Sequence, residues 1–206
     1  MKVKIKQVER LLDDFFKIDK AVLQYERFDG TMTDDLIRLN FNRGNSVAIL
    51  LYKPETESVI LVYQFRYPAY VADPNKGWLL EIVAGSMESG PDAIETPEEV
   101  ARKELLEEIG YQVDKLDYVC EFFVSPGGTS EKIFLYFAEV SEKDRVKKGG
   151  GLEREGEDIL LKEINWHQAW EMIQTGEICD AKTIIGLQWL KNKLVGVPPS
   201  GSQITD

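Results

Sequence analysis

Three carboxylates, Glu104, Glu107 and Glu108, lie within one short stretch whose apolar spacing is helical. Residues three and four apart are neighbours on a helix surface, so these acids repel one another. Lys103 points elsewhere, and a hard divalent cation bound through carboxylate oxygens would offset the repulsion. For a bare Glu-x-x-Glu-Glu the competing reading is a solvated acidic face. Two loops carry further candidates. In Ser125-Pro126-Gly127-Gly128-Thr129-Ser130-Glu131 the glycines allow close approach of backbone to a ligand, and Glu131 projects from the start of the next strand, although a wide turn explains the same residues. GGGLEREGED, from Gly149 to Asp158, is a charge run whose default role is solubility. Arg43 in NFNRGN and Arg66 in YQFRYPAY are suited to fork onto phosphate oxygens or to hold structural ion pairs. Tyr25 and Phe28 are candidates for stacking on a nucleobase, with core packing as the alternative.

The helix that carries the acids has a start signal in Thr96 as N-cap, Pro97 at the first helical position and Glu99 three residues after the cap, and a stop at Gly110. Val100, Ala101, Leu105 and Ile109 face a core, which leaves Glu104, Glu107 and Glu108 on an exposed face. Upstream, SVAILLY and, after a turn at Pro54-Glu55-Thr56, SVILVYQFRYPAY are apolar enough for buried strands, and WLLEIVA is a strand that leads straight into Gly85. Downstream, DYVCEFFVS and EKIFLYFAEV flank the SPGGTSE loop. A polar, glycine-rich loop is expected to be exposed and mobile, ILLKEINW is a last strand, and HQAWEMIQTG and DAKTIIGLQWLKNKL are amphipathic helices. This order predicts an α/β domain with a mixed sheet between helices over residues 45–194, with a disordered Pro/Gly/Ser tail over 195–206. Residues 1–44 predict a β-hairpin turning at Asp29-Gly30-Thr31, with a further strand before it. So small a sheet is not stable alone, so it packs on the rest of the chain or on a second copy, and a homodimer is expected.

At 206 residues, 43% hydrophobic and 30% charged, the chain can bury a sizeable core. No apolar run reaches membrane-span length and the N-terminus lacks a signal-peptide core, which predicts a cytoplasmic protein without membrane partners. Cys120 and Cys179 fit reduced thiols, and the single His167 has no nucleophile motif to support a catalytic triad. A net charge of −11 argues against nucleic acid as a partner, but not against an anionic small molecule bridged by metal ions.

From Glu95 to Tyr111 the sequence resembles the Nudix box, Gly-x5-Glu-x7-Arg-Glu-apolar-x-Glu-Glu-x-Gly-apolar, with Glu95, Glu104, Leu105, Glu107, Glu108, Gly110 and Tyr111 in register. Lys103 stands at the box arginine with Arg102 one place early, and nine residues rather than five separate Gly85 from Glu95. SPGGTSE, WLLEIVAG and the GLQWL helix are similar to ADP-ribose pyrophosphatases; RGNSVAILLY, GGGLEREGED and MIQTGEICDAKT resemble GDP-mannose hydrolases as much. The resemblance covers roughly residues 15–194 and implies an α-β-α sandwich that hydrolyses a nucleoside diphosphate sugar, ADP-ribose first and GDP-mannose as the alternative. It implies Mg²⁺, with Mn²⁺ as a substitute, held by Glu104, Glu108, the Ala84 carbonyl and Glu157. Glu107 would share or orient a ligand, and Glu155 would be the base. Arg43, Arg66, Ser125, Pro126, Gly127 and Glu131 are the implied substrate contacts, with Tyr25 and Phe28 beside them. A binding module that kept the fold without the chemistry is the rival; such domains lose box glutamates, and these are present.

Overall fold

The structure, a computed structural model, describes residues 1–88, 94–151, 156 and 158–196. Polar and apolar residues mixed over the first 42 positions form an antiparallel sheet of β1 (Val3–Asp13), β2 (Lys17–Tyr25) and β3 (Leu36–Asn42), in that spatial order. The turn at Asp29-Gly30-Thr31 forms as expected, with Gly30 in the left-handed region at φ 82° and the Arg27 N–H donating to the Thr31 carbonyl at 2.7 Å. Every residue of β1 is exposed, and two register shifts along it turn apolar side chains to both faces of the sheet.

Near-continuous runs of Val, Ile and Leu give β4 (Ser46–Lys53) and β5 (Ser58–Phe65), buried as such runs must be. The chain then departs from the sequence reading. Pro68 has no N–H for a sheet ladder, and Tyr67–Ala72 becomes a short helix, α1, instead of extending β5. WLLEIVA is two strands, β6 (Trp78–Glu81) on β5 and β7 (Val83–Ser86) on β4. The break falls at Ile82, whose N–H donates to the Thr183 hydroxyl at 2.9 Å instead of to a strand.

After α2 (Pro97–Glu104) come β8 (Asp117–Phe123), β9 (Lys132–Glu139), β10 (Leu160–Asn165), α3 (Trp166–Thr175) and α4 (Ala181–Val195), which Gly196 caps; the tail from 197 lies outside the described residues. The sheet runs β10-β5-β4-β9-β8 with β6 and β7 attached, and β4 and β9 pair in parallel within an otherwise antiparallel ladder. One face, with Val47, Ile49, Val62 and Val83, packs on Val100, Ala101, Leu105 and Ile109 of the acid-bearing helix. The other, with Ala48, Leu50, Leu61 and Ile82, packs on Trp166, Ala169, Leu187 and Leu190. These are the expected three layers around a mixed sheet. Among the described residues no helix is long and apolar enough to cross a membrane.

Candidate active site

Thr96 caps α2 as its sequence requires. The hydroxyl accepts from the Glu99 N–H at 3.3 Å, and the Glu99 carboxylate accepts from the Thr96 N–H at 2.7 Å. From Leu105 to Ile109 the helix widens into a π-turn, the Tyr111 N–H reaching back to the Leu105 carbonyl at 3.0 Å, and Gly110 closes it at φ 74°. The expected exposed acidic face is corrected by this packing. Glu108 is 2% exposed, and Glu104 and Glu107 are half-buried.

A strap from Arg145 to Gly150 covers the end of the helix. Val146 donates to the Gly110 carbonyl at 2.8 Å and Gly150 to the Glu108 carbonyl at 2.7 Å, and the Ile159 N–H closes onto the Gly150 carbonyl at 3.3 Å. Both ends of the acidic loop are therefore anchored beside Glu108. Glu155 and Glu157 themselves lie outside the described residues.

Gly85 explains how Glu104 is placed. A Cβ built on Gly85 would fall 2.0 Å from the Glu104 carboxyl, so that carboxylate lies against the strand backbone beside Ala84. Glu104, Glu108 and the Ala84 carbonyl offer oxygen donors, the chemistry of a hard cation, and a side chain at residue 85 would occupy the carboxylate's place. Among the described residues no three His, Cys, Asp or Glu side chains converge as a complete metal site. The donor set fits a hard divalent cation whose coordination is completed from elsewhere.

Arg66 forks onto Glu81, its Nε donating to Oε1 at 3.0 Å and its Nη2 to Oε2 at 2.8 Å. Its guanidinium also feels the Glu108 charge. Burial would push Glu81 up, but the Arg66 fork and the Lys182 ammonium outweigh it and hold the carboxyl below its ordinary value. Arg43 lies just before the first residue of β4. Its Nη2 donates to the Ser86 hydroxyl at 3.1 Å, its Nη1 lies 3.5 Å from Glu131, and its buried Nε has no hydrogen-bond partner among the described residues. Glu131, 6% exposed, also accepts from the Ser46 hydroxyl at 2.8 Å.

Ser125, Pro126 and Gly127 are exposed in a tight turn, with the Gly128 and Thr129 N–H groups both donating to the Ser125 carbonyl at 3.0 Å. The space beside Gly127 and Gly128 is open, and the Gly128 carbonyl accepts from the Phe41 N–H at 2.9 Å, tying the loop to β3. Tyr25 and Phe28 are not brought to this chain's own site. They lie at the far end of the N-terminal sheet, roughly 20 Å along β2 from Ile18, the partner of Phe41, and Phe28 is 97% exposed. Nor does Arg102 stand in for the box arginine. It pairs with Glu98 at 2.8 Å and donates to the Val113 carbonyl, which staples the helix to the segment beyond it.

Sequence reasoning missed Glu81, Asp180, Lys182 and Thr183. A glutamate in the apolar strand WLLEIVA was the available signal for the first; DAKT signalled a helix start and a family resemblance, not an ion pair with that glutamate. The backbone N–H of His167 donates to the Asn165 cap at 3.0 Å, and both cysteines are free thiols.

The comparisons with known proteins agree with this geometry. The NUDIX domain model matches residues 42–185. The GDP-mannose pyrophosphatase of Shigella flexneri serotype 5b (strain 8401) is 38% identical over 181 residues, covering 88% of this chain and 91% of that protein, and the GDP-mannose pyrophosphatase of Escherichia coli O1:K1 / APEC gives the same figures. A crystal structure of an ADP compounds hydrolase shares the fold, with a TM-score of 0.71 at 18% identity over 95% of this chain and 96% of that one. With the box acids in register and the family model spanning most of the chain, this protein belongs to the Nudix family.

Proposed function

We propose that this Nudix hydrolase cleaves the pyrophosphate bond of a nucleoside diphosphate sugar, with GDP-mannose as the substrate best supported. The observation that carries the reading is the Glu104 carboxylate against Gly85, one helical turn from buried Glu108 and beside an arginine forked onto Glu81. The relatives named GDP-mannose pyrophosphatase, at 38% identity, favour that substrate over ADP-ribose, which the SPGGTSE loop had put first. ADP-ribose remains the second reading on the strength of that loop.

Mg²⁺ or Mn²⁺ held by Glu104, Glu108 and the Ala84 carbonyl, with Glu157 from the acidic loop, would neutralise pyrophosphate charge and acidify the attacking water. Glu107 orients a ligand, and Glu155 takes the proton of that water as its oxygen attacks phosphorus. The bridging oxygen leaves with its phosphoryl group, giving GMP and mannose 1-phosphate, or AMP and ribose 5-phosphate from ADP-ribose. Arg66 presents Nη1, the nitrogen Glu81 does not hold, to a substrate phosphate. Arg43 and Glu131 bind at the N-terminal end of β4, with the open space above Ser125, Pro126 and Gly127 for the rest of the nucleotide.

Two copies pair through the N-terminal sheet in this reading. Its exposed apolar residues, Ile5 and Val8 on one face and Ile37 and Leu39 on the other, need a partner surface. Such a dimer carries Tyr25 and Phe28 of one copy toward the site of the other, which a single chain cannot do.

The test is a Mg²⁺-dependent hydrolysis assay on GDP-mannose, ADP-ribose, UDP-glucose and ADP-glucose, with Glu108→Gln alongside. Fast cleavage of one substrate with an inactive variant is the expected result. No cleavage by the wild type, together with stabilisation by a nucleotide sugar, would replace it with the binding-module reading.

A further inference from the structure

Glu81 is 2% exposed at the strand break, where an unpaired carboxylate would be strongly destabilising. The Arg66 fork already satisfies both of its oxygens. A third donor is nevertheless present: Lys182 Nζ reaches Glu81 Oε2 at 2.9 Å and Asp180 Oδ1 at 3.0 Å. Asp180 is itself fixed, since it caps α4 by accepting from the Thr183 N–H at 2.9 Å and the Thr183 hydroxyl at 2.6 Å. That hydroxyl accepts in turn from Ile82, the residue after Glu81, at 2.9 Å. The contacts close a ring from the start of the last helix to the strand break two residues before Ala84.

The terminal torsion of a glutamate is soft, so a carboxylate held by one guanidinium can turn together with it. Arg66 is 41% exposed, and its fork onto Glu81 is what fixes the plane of its head group. An ammonium anchored on a capped helix removes that shared rotation. We propose that Lys182 is a positioning residue of the active site: by pinning Glu81 it fixes the plane of the Arg66 guanidinium, so that Nη1 is aimed at the substrate phosphate. The inference rests on the pyrophosphatase reading for its kinetic consequence, but not for its structural one.

Two readouts test it in Lys182→Met, Lys182→Arg, Arg66→Lys and the double variant Lys182→Met/Arg66→Lys. The first, hydrogen exchange of the Arg66 Nε–H followed by nitrogen-15 NMR, needs no substrate. The second is the split of KM and kcat on whichever nucleotide sugar the wild type cleaves fastest. Lys182→Met is expected to speed the exchange about tenfold. It should also raise KM about tenfold with kcat within about threefold, less than the roughly hundredfold loss of a gross 1 Å misplacement. Lys182→Arg restores both, and the double variant is no worse than Arg66→Lys, because Lys182 acts through that arginine. Unchanged exchange in a folded Lys182→Met protein overturns the proposal, as do effects that multiply in the double variant. Should Lys182→Met fail to fold, Lys182→Gln, which keeps a donor without the charge, takes its place. If the wild type cleaves no nucleotide sugar, the pyrophosphatase reading fails, and the exchange rates still decide the role of Lys182.

Discussion

Gly85→Ala separates stability from chemistry at this site. The added Cβ would fall 2.0 Å from Glu104 Cδ and Oε1, whereas ordinary van der Waals contact begins at 3.4 Å, so the carboxylate must retreat by 3.4 − 2.0 = 1.4 Å. The atoms that move are the far end of a flexible side chain, and Gly85 is paired with Val47 outside the left-handed region, so the backbone accepts alanine. Replacing a glycine where the backbone permits it restricts the unfolded chain and stabilises by roughly 0.4–1 kcal/mol, which offsets the cost of moving Glu104. Folding stability is therefore expected to stay within about 1 kcal/mol of wild type. Activity should not survive as well. Misplacing a catalytic group by about 1 Å costs on the order of a hundredfold, so kcat/KM should fall about that far and the Mg²⁺ concentration for half-maximal rate should rise. Thermal melting and metal-titrated kinetics beside Glu104→Gln make the comparison. A Gly85→Ala enzyme with wild-type kcat/KM and an unchanged metal requirement would refute the placement of Glu104 over the Ala84 carbonyl.

Three other outcomes follow from the same contacts. Gly110→Ala forces a left-handed residue to carry a Cβ into the Lys147 carbonyl, and it should destabilise the fold by about 1–3 kcal/mol and loosen the strap, read by denaturant melts and by amide exchange at Val146. Glu81→Gln breaks a buried ion pair and should cost about 3 kcal/mol near neutral pH. Because the folded carboxyl is held below its ordinary value of 4.5, its stabilisation is present above that pH and is lost as pH falls through the folded value; the gap in Tm between wild type and variant should be full at pH 7, begin to narrow only below pH 4.5 and close below the folded value. Val8→Glu places a charge on the exposed apolar face of β1 and should shift sedimentation from dimer to monomer, with KM raised if the partner's sheet contributes to the site; an unchanged dimer would contradict pairing through this sheet.

The features legible in the sequence are those whose partners are near in the chain. Thr96, Pro97, Glu99 and Gly110 state where the acid-bearing helix begins and ends because caps act over three or four residues. The burial of Glu108 was not legible, since it depends on a strap some 40 residues later whose Gly150 bonds the Glu108 carbonyl. The same holds for the ion pairs. Arg66 as a phosphate ligand or a structural partner could not be decided until Glu81 was found across the ladder, and the Lys182 contact to Glu81 spans 101 residues. The split of WLLEIVA at Ile82 needed a hydroxyl from the last helix, again 101 residues away. Where Tyr25 and Phe28 stand was not legible for a simpler reason: composition identifies aromatic residues suited to stacking, whereas strand length decides how far they stand from this chain's own site.

The π-turn connects these long-range contacts to the acids. In an ordinary glycine-terminated helix the closing N–H reaches back five residues; here the Tyr111 N–H reaches back six, to the Leu105 carbonyl. Leu105 and Ile109, four residues apart, enter the core as helical spacing requires, and Glu108, two turns after buried Ala101, is buried with them. Widening costs hydrogen-bond geometry, and it is compensated where the strap supplies partners from outside the helix: Val146 and Lys147 N–H groups on the Gly110 carbonyl, and Gly150 on the Glu108 carbonyl. The same backbone bonds that accompany the π-turn also hold Gly150 and Ile159, on either side of the acidic loop, at the Glu108 end of the helix. A strap that loosens therefore frees the helix end and both flanks of the loop together, which couples them.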